Sequence, residues 1–391
     1  VAILEAISKN DRFVFLEIFG LEGGIQSYVK DILKTYTALV SEYNQVTQEP
    51  RKAEVFLLRD RPDCENPLAS QSVMKFHYLY TQPPALGRLR LSGWLALNLL
   101  AAFFSGLPQR VFCGHINLAP LVQWLCQPLG IPYIVLTYGK EVWEPLTPPY
   151  QKALQQAAAI WTISRYSRDR ACEVNQLDPQ KFQLLPCAVN CDLFRPGPKT
   201  LDLIQRYNLA DAKVLMTVAR LWPGDIYKGV DVTIRALPRI AQVIPNVKYL
   251  VIGRGDDQPR LAQLAVDLGV SDRVVFAGFV PTADLPAHYR VADAYVMPSQ
   301  EGFGIVYLEA MASGVPVVAG KDDGSADPLQ DGRVGWQVPH RDPEAVANAC
   351  IEILQGHDPR CNGAWLREES QDKFGTDAFT QRLRQLMGFE Q

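Results

Sequence analysis

No run of about 18 apolar residues occurs anywhere in the 391-residue chain, so none of it reads as a bilayer-crossing helix. The nearest approach is 91–104, which holds Trp94, Phe103 and Phe104 but is interrupted by Ser92, Gly93 and Asn98. It reads as a buried or surface amphipathic helix, and Arg88 and Arg90 just before it keep a peripheral membrane contact in view. An excess of one charge is also missing. Lys and Arg number 39 against 42 Asp and Glu, a formal charge of −3 that gives nucleic acid no bulk attraction, so no nucleic-acid partner is expected. Patterned cysteine is missing too. The eight cysteines, Cys64, Cys113, Cys126, Cys172, Cys187, Cys191, Cys350 and Cys361, form no C-x-x-C pair and none sits at zinc-finger spacing from a histidine. They read as incidental reduced thiols. With no signal peptide opening the sequence, the expectation is a cytoplasmic protein with no metal site.

What is present is an ordinary globular composition, 48% hydrophobic and 21% charged, on a chain longer than one core usually supports. Short β-branched runs alternate with helical patterns, as in α/β layers with parallel sheets. In the first half, strands are expected at 13–19, 55–58, 110–113, 133–136, 159–163 and 182–185, with a helix over 25–36. In the second half, strands are expected at 213–219, 247–252, 273–276, 294–297 and 315–318, with a helix over 230–243 and a last helical stretch over 369–387. The segment 186–200 carries three prolines and a glycine, which places a boundary there. The division expected is 1–192, a linker 193–200, a second domain 201–368, and a C-terminal helix in 369–391 packing back on the first domain. Both domains read as doubly wound and Rossmann-like, with ligands at the strand C-termini and in a central cleft that the two domains face.

The chemistry concentrates in the second half. Ser299 to Gly314 runs from a strand end through Gly302-Phe303-Gly304 straight into a helix. A helix start with free amides and a positive dipole end, opened by glycines, suits a phosphate or sugar hydroxyls. Glu301 precedes that helix and Glu309 lies eight residues on, roughly 10 Å away along a helical rise. That is too far for the acid–nucleophile pair of a retaining glycosidase, which needs about 5–5.5 Å. It suits gripping two parts of one extended ligand. The bland alternative makes one a first-turn carboxylate and the other a solvated face. After the strand ending at Ala219, Arg220 and Lys228 share a loop closed by Gly229 and are placed to neutralise a diphosphate, or else are two surface cations. The turns Gly253-Arg254-Gly255 and Gly23-Gly24 are weaker signals of the same kind.

Together these residues resemble the retaining glycosyltransferases of family four, which adopt the GT-B fold. Ala219-Arg220-Leu221 and Lys228-Gly229 look like the family's cationic loop, and Glu301 to Glu309 matches its E-x7-E element. Gly278-Phe279-Val280 is similar to the base-reading segment, and Gly23-Gly24-Ile25-Gln26 to the N-terminal glycine loop. The resemblance implies that Arg220 and Lys228 bind the donor pyrophosphate, and that Glu301 with the backbone of Phe303 and Gly304 holds the sugar. It further implies that Ile305 and Val306 line the diphosphate, that Glu309 takes the ribose, and that Gly23, Gly24, Tyr138, Gly253 and Val280 complete the donor site. Transfer would retain configuration, with no cofactor and no obligatory metal. The expected donor is UDP-glucose and the expected acceptor a saccharide or lipid-linked saccharide of envelope or exopolysaccharide synthesis. Two departures stand out. Tyr138 occupies a position where the family often has histidine, with His115 nearby in sequence. Asp322-Asp323-Gly324-Ser325-Ala326-Asp327 stands where many relatives show a glycine pair and a following glutamate. A non-catalytic nucleotide-sugar-binding protein and a nucleotide-sugar epimerase stay open. A third reading, an NAD-dependent dehydrogenase, lacks its glycine fingerprint near the first strand, and absence of nicotinamide binding would retire it.

Overall fold

The computed structural model describes residues 10–47, 50–82 and 84–389. Its β-branched runs form two fully parallel sheets, one in each of two compact units, Val1–Pro186 with Thr380–Gln391, and Cys187–Phe379.

The first unit runs β1 (Asp11–Phe15), α1 (Gly24–Val46), β2 (Ala53–Leu57), β3 (Met74–Tyr78), α2 (Pro84–Ser105), β4 (Arg110–Cys113), α3 (Ala119–Cys126), β5 (Tyr133–Thr137), α4 (Pro148–Gln156), β6 (Ala159–Thr162), α5 (Arg165–Asn175) and β7 (Phe182–Leu184). The sheet order is β3-β2-β1-β4-β5-β6-β7. Strands buried on both faces supply the core, with Val14, Val111, Val135 and Ile160 all at 0% exposure.

The second unit contains α6 (Leu201–Arg206), β8 (Lys213–Val218), α7 (Val230–Val243), β9 (Val247–Ile252), α8 (Gln258–Asp267), β10 (Val274–Gly278), α9 (Leu285–Val291), β11 (Ala294–Met297), α10 (Ile305–Ala312), β12 (Val317–Gly320), β13 (Trp336–Val338), α11 (Pro343–Gln355), α12 (Gly363–Phe374) and the start of α13 (Thr376–Met387). Its order, β10-β9-β8-β11-β12-β13, is the doubly wound arrangement 3-2-1-4-5-6.

The helix expected over 25–36 runs on to Val46, and the strand expected at 315–318 lies at Val317–Gly320. Three further expectations need correction. The first strand begins at Asp11 and ends at Phe15 instead of covering 13–19. Two charged residues enter the sheet because each finds a partner. Asp11 accepts from Tyr36 Oη at 2.9 Å and Arg110 Nε at 3.0 Å, and Arg12 pairs with Glu54 at 3.1 Å. Second, β3 and β13 were not foreseen. The first alternates Met74 with the polar Lys75 and His77, and the second is three residues long, so neither carries a buried apolar run. Third, the last helical stretch is two helices broken at Gly375, where the amide of Val189 donates to Phe374 O at 2.8 Å. The end of α13 belongs to the first unit. There Arg110 donates to Met387 O at 2.7 Å and the Phe389 ring meets Tyr36 and Tyr43.

Candidate active site

In the second unit β8 and β11 are neighbours whose connections leave to opposite sides, towards β9 and towards β12. The loops at their C-terminal ends, 219–229 and 298–304, therefore part and open a crevice. The four charged candidates, Arg220, Lys228, Glu301 and Glu309, come from these two loops and the helix after them.

Lys228 ends a 3-10 turn, Pro223–Lys228, that Gly229 closes in the left-handed conformation at φ 75°. A Cβ on Gly229 would lie 2.7 Å from Pro298 O, so only glycine lets the β8 loop come this close to the β11 loop. That approach brings Lys228 Nζ to 2.5 Å from Glu301 Oε1. Burial pushes the ammonium down, but Glu301, with Tyr227 and Asp225 around it, outweighs this, and Lys228 is held above its ordinary range and fully charged. Glu301 also accepts from Ser299 Oγ at 3.1 Å, and its amide donates to Asp323 Oδ2 at 2.6 Å.

Gly304, at φ 93°, starts α10, and no side chain caps the helix. A Cβ there would fall 2.2 Å from the Tyr307 ring. The amides of Ile305 and Val306 are thus left for an incoming anion at the positive end of the dipole. Phe303 is buried against Phe374. One face of α10 carries Glu309, whose Oε2 accepts from Tyr289 Oη at 2.7 Å. Burial raises the Glu309 carboxyl to about 7, against the lowering pull of that hydrogen bond.

Arg220 is mostly exposed and pairs with the buried Asp225 at 2.5 Å, an interaction that raises its pKa. Its guanidinium is 5.5 Å from the Trp222 ring centre. A cavity of about 550 Å³ lies beside it, lined by Arg220, Trp222, Arg254, Gly255 and Asp256, a size suited to a small-molecule ligand. Arg254 in turn stands 4.9 Å over Phe279, which is half exposed beside Val280. Gly253 N donates to Gly278 O at 2.8 Å, joining the ends of β9 and β10 into one ledge.

In the first unit the switch lies between β1 and β4. The loop after β1 hangs on the buried Asp60, whose carboxylate accepts from Ile18 N at 2.7 Å, Phe19 N at 2.9 Å and Gly20 N at 2.7 Å. Gly23 and Gly24 follow and open α1, again without a side-chain cap. Tyr138 is buried. Its hydroxyl donates to Gly114 O at 2.7 Å and its amide to Glu141 at 2.5 Å, so its phenol has a main-chain partner. His115 Nδ1 accepts from Asn117 N at 3.1 Å as the cap of a 3-10 turn, and burial lowers its pKa, which is a local structural task. All eight cysteines are free thiols. Among the described residues no group of three His, Cys, Asp or Glu is placed to hold a metal ion.

Thus Lys228, Glu301, Arg220, Gly253, Val280, Phe303, Gly304, Ile305, Val306 and Glu309 share one unit, and Gly23, Gly24 and Tyr138 lie in the other. The motifs did not point to Ser299, Tyr289 or Asp60. A serine two residues before Glu301 was a usable signal. Tyr289 and Asp60 are far from their partners in sequence and gave none. Asp323 was visible only as a departure from a pattern.

With this geometry in view, residues 212–356 match a family described as "Glycosyl transferases group 1". The GDP-mannose-dependent alpha-(1-6)-phosphatidylinositol monomannoside mannosyltransferase of Mycolicibacterium smegmatis is 36% identical over 267 residues, which is 64% of this chain and 68% of that protein. The D-inositol 3-phosphate glycosyltransferase of Mycobacteroides abscessus is 33% identical over 52% of this chain and 46% of its own length. The crystal structure of Anabaena HepE in complex with UDP and glucose superimposes with a TM-score of 0.76 at 20% identity, covering 97% of this chain and 99% of that one, and so shares the fold.

Proposed function

We propose that this chain, which belongs to the group 1 glycosyltransferases, transfers a hexose with retention from a nucleoside diphosphate held in its C-terminal unit. It has the GT-B fold and is a glycosyltransferase using a nucleotide-sugar donor. The observation that carries the residue assignment is the Lys228–Glu301 pair, 2.5 Å apart beside the uncapped start of α10. It brings a largely buried cation and a carboxylate to the crevice that the uncapped start of α10 faces, which is what a sugar joined to a diphosphate requires.

In this reading the diphosphate takes Lys228, the amides of Ile305 and Val306, and Arg220, which exchanges Asp225 for the phosphate oxygens. Glu301 and the backbone of Phe303 and Gly304 hold the hexose hydroxyls, Glu309 accepts from the ribose hydroxyls, and the ledge at Gly253 and Val280 takes the base. As the glycosidic bond breaks, charge gathers on the departing diphosphate. Fixed cations and the helix dipole stabilise it more than they stabilise the ground state. No obligatory metal is needed for that step, and no cofactor.

For the donor we put GDP-mannose first, because the mycobacterial relative is named for it. UDP-glucose, the expectation from sequence, is the second arm of one screen. Thermal unfolding is measured with GDP, UDP, ADP and their common sugars, with and without EDTA. A nucleotide at about 100 times its Kd should add roughly 2.7 kcal/mol, a shift of a few degrees. A shift with one base that survives EDTA supports the reading, and no shift with any nucleotide overturns the donor site. Turnover onto a saccharide or lipid-linked acceptor, followed by product analysis, separates transfer from binding alone and from epimerisation.

The acceptor is proposed to be lipid-linked, met by a chain peripheral to the cytoplasmic face of a membrane. None of the described helices is long and apolar enough to cross one. Yet α2 shows solvent an apolar stripe, Leu86, Leu89, Leu97 and Leu100, flanked by Trp94 and Arg90, while Leu91, Leu95 and Leu99 face the core. Such a helix suits the headgroup boundary of an anionic bilayer. Sedimentation with phosphatidylglycerol vesicles should deplete the protein from solution, and Leu89→Glu with Leu97→Glu should abolish this without lowering Tm. Equal sedimentation of the variant would exclude α2.

A further inference from the structure

Asp323 stands on the segment after β12, and main-chain amides occupy both of its carboxylate oxygens. Oδ2 accepts from Glu301 N at 2.6 Å, and Oδ1 accepts from Ser325 N at 2.9 Å. The next residue grips the other side of the same glutamate, because Gly324 N donates to Glu301 O at 2.8 Å. Residue 301 is therefore clamped through its amide and its carbonyl by two successive residues of a different loop. The loops meet at main-chain distance, since a Cβ on Gly324 would lie 2.0 Å from Gly302 O. The Ser325 hydroxyl is 2.9 Å from Gly320 O and within reach of the Asp323 carboxylate, which ties the clamp to the end of β12.

We infer that Asp323 is a positioning residue that fixes the peptide from which the Glu301 carboxylate is aimed at Lys228 and at the hexose of the donor. This deepens the donor-site reading above and rests on it. A glutamate side chain on an unfixed loop samples many directions, and a shift of about 1 Å in a substrate-holding group is costly to a reaction. A carboxylate is the side chain this clamp needs. It presents two acceptors to two N–H groups, whereas the isosteric amide of asparagine presents one acceptor and turns a donor towards the second.

The clamp has a built-in acid limit. Asp323 is buried, and that burial, with the Glu301 carboxylate adding to it, raises its carboxyl to about 6 against the hydrogen bonds from Ser325 and Glu301 N. Facing it are Glu301, with Lys228 beyond, and the Tyr307 phenol, itself pushed well above its usual range by burial. As pH falls through about 6, Asp323 takes a proton and one amide loses its acceptor. The grip on the sugar should therefore weaken on the acid side and be complete on the alkaline side.

The test is calorimetric binding of the nucleoside diphosphate and of its nucleotide sugar to wild type and Asp323→Asn, with kcat/KM measured beside it. Asp323→Asn is expected to bind the bare nucleotide as wild type does. It should lose roughly 10- to 100-fold in kcat/KM and in the sugar's contribution to affinity, the size of one hydrogen bond to a charged group. In wild type the ratio of the two dissociation constants should fall as pH drops through about 6, and in the variant it should stay flat. An unchanged ratio in Asp323→Asn, or an equal loss for nucleotide and nucleotide sugar, would overturn the inference. Should the variant not fold, a wild-type ratio flat across that pH range overturns it equally. If wild type binds neither ligand, the donor-site reading itself fails. Wild-type binding with an indifferent variant sinks the inference alone.

Discussion

Lys228→Ala is expected to lower kcat/KM by about 2–4 kcal/mol, the range found when one preorganised electrostatic donor is removed from a transition state. That is roughly a 30- to 900-fold loss. Most of it should appear in kcat, because in the proposed site the charge Lys228 would meet grows as the diphosphate leaves. The ammonium is only 21% exposed and lies 2.5 Å from Glu301, so alanine also leaves that carboxylate without its cation. Lys228→Arg separates the two effects. It restores charge but brings a planar fork in place of a compact ammonium, so it should recover Tm while recovering little of kcat. Steady-state kinetics at saturating acceptor reads the result. A loss of tenfold or less would show that the diphosphate is carried by α10 and Arg220 instead.

Much of this unit could be read before any coordinates. The strands Val247–Ile252 and Ala294–Met297 and the helix Val230–Val243 begin and end where their apolar periodicity does. They are central elements buried on their inner faces, so burial alone determines their pattern. The elements that escaped are those where something else outweighs burial. Asp11 and Arg12 look like residues before a strand, yet sit inside one because Arg110, Tyr36 and Glu54 neutralise or hydrogen-bond them. These partners are 99, 25 and 42 residues away, beyond any local window. The edge strands β3 and β13 have polar or very short sequences, and their pairing comes from their neighbours.

The candidate site divides in the same way. Glu301, Glu309, Arg220 and Lys228 stand out in sequence because a glycine-opened helix start and a strand-end loop constrain spacing. Sequence does not show which of them touch. The Lys228–Glu301 contact depends on the bare Cα of Gly229 against Pro298 O, and Arg220 turns to Asp225 within its own loop. Tyr138 stands where the family often has histidine, and its hydroxyl donates to Gly114 O.

Glu309 carries the second large expected effect, because in the proposed donor site its titration would couple nucleotide binding to pH. Its carboxyl is raised by burial to about 7 from an ordinary 4.5, and Tyr289 supplies a compensating hydrogen bond. Ribose hydroxyls donate, so in the proposed site the ionised form would be the one that holds them. Two hydrogen bonds to a charged acceptor make the loss in Glu309→Ala on the order of 100-fold or more in nucleotide affinity. The sign for binding is that affinity rises with pH through about 7 in wild type, and Glu309→Gln, which cannot ionise, should bind weakly and without this pH dependence. The sign for stability is opposite. A folded pKa above the unfolded one means the folded state holds a proton that the unfolded chain has released. Without nucleotide, wild type should then lose stability relative to Glu309→Gln as pH climbs from 4.5 through about 7. Both follow from one titration, so calorimetric affinity and denaturant midpoints across that range check each other. Tyr289→Phe removes the hydrogen bond that holds the carboxyl down and should move both curves to higher pH. If affinity is indifferent to pH while Glu309→Ala still binds poorly, the glutamate holds the end of α10 in place and does not touch the ribose.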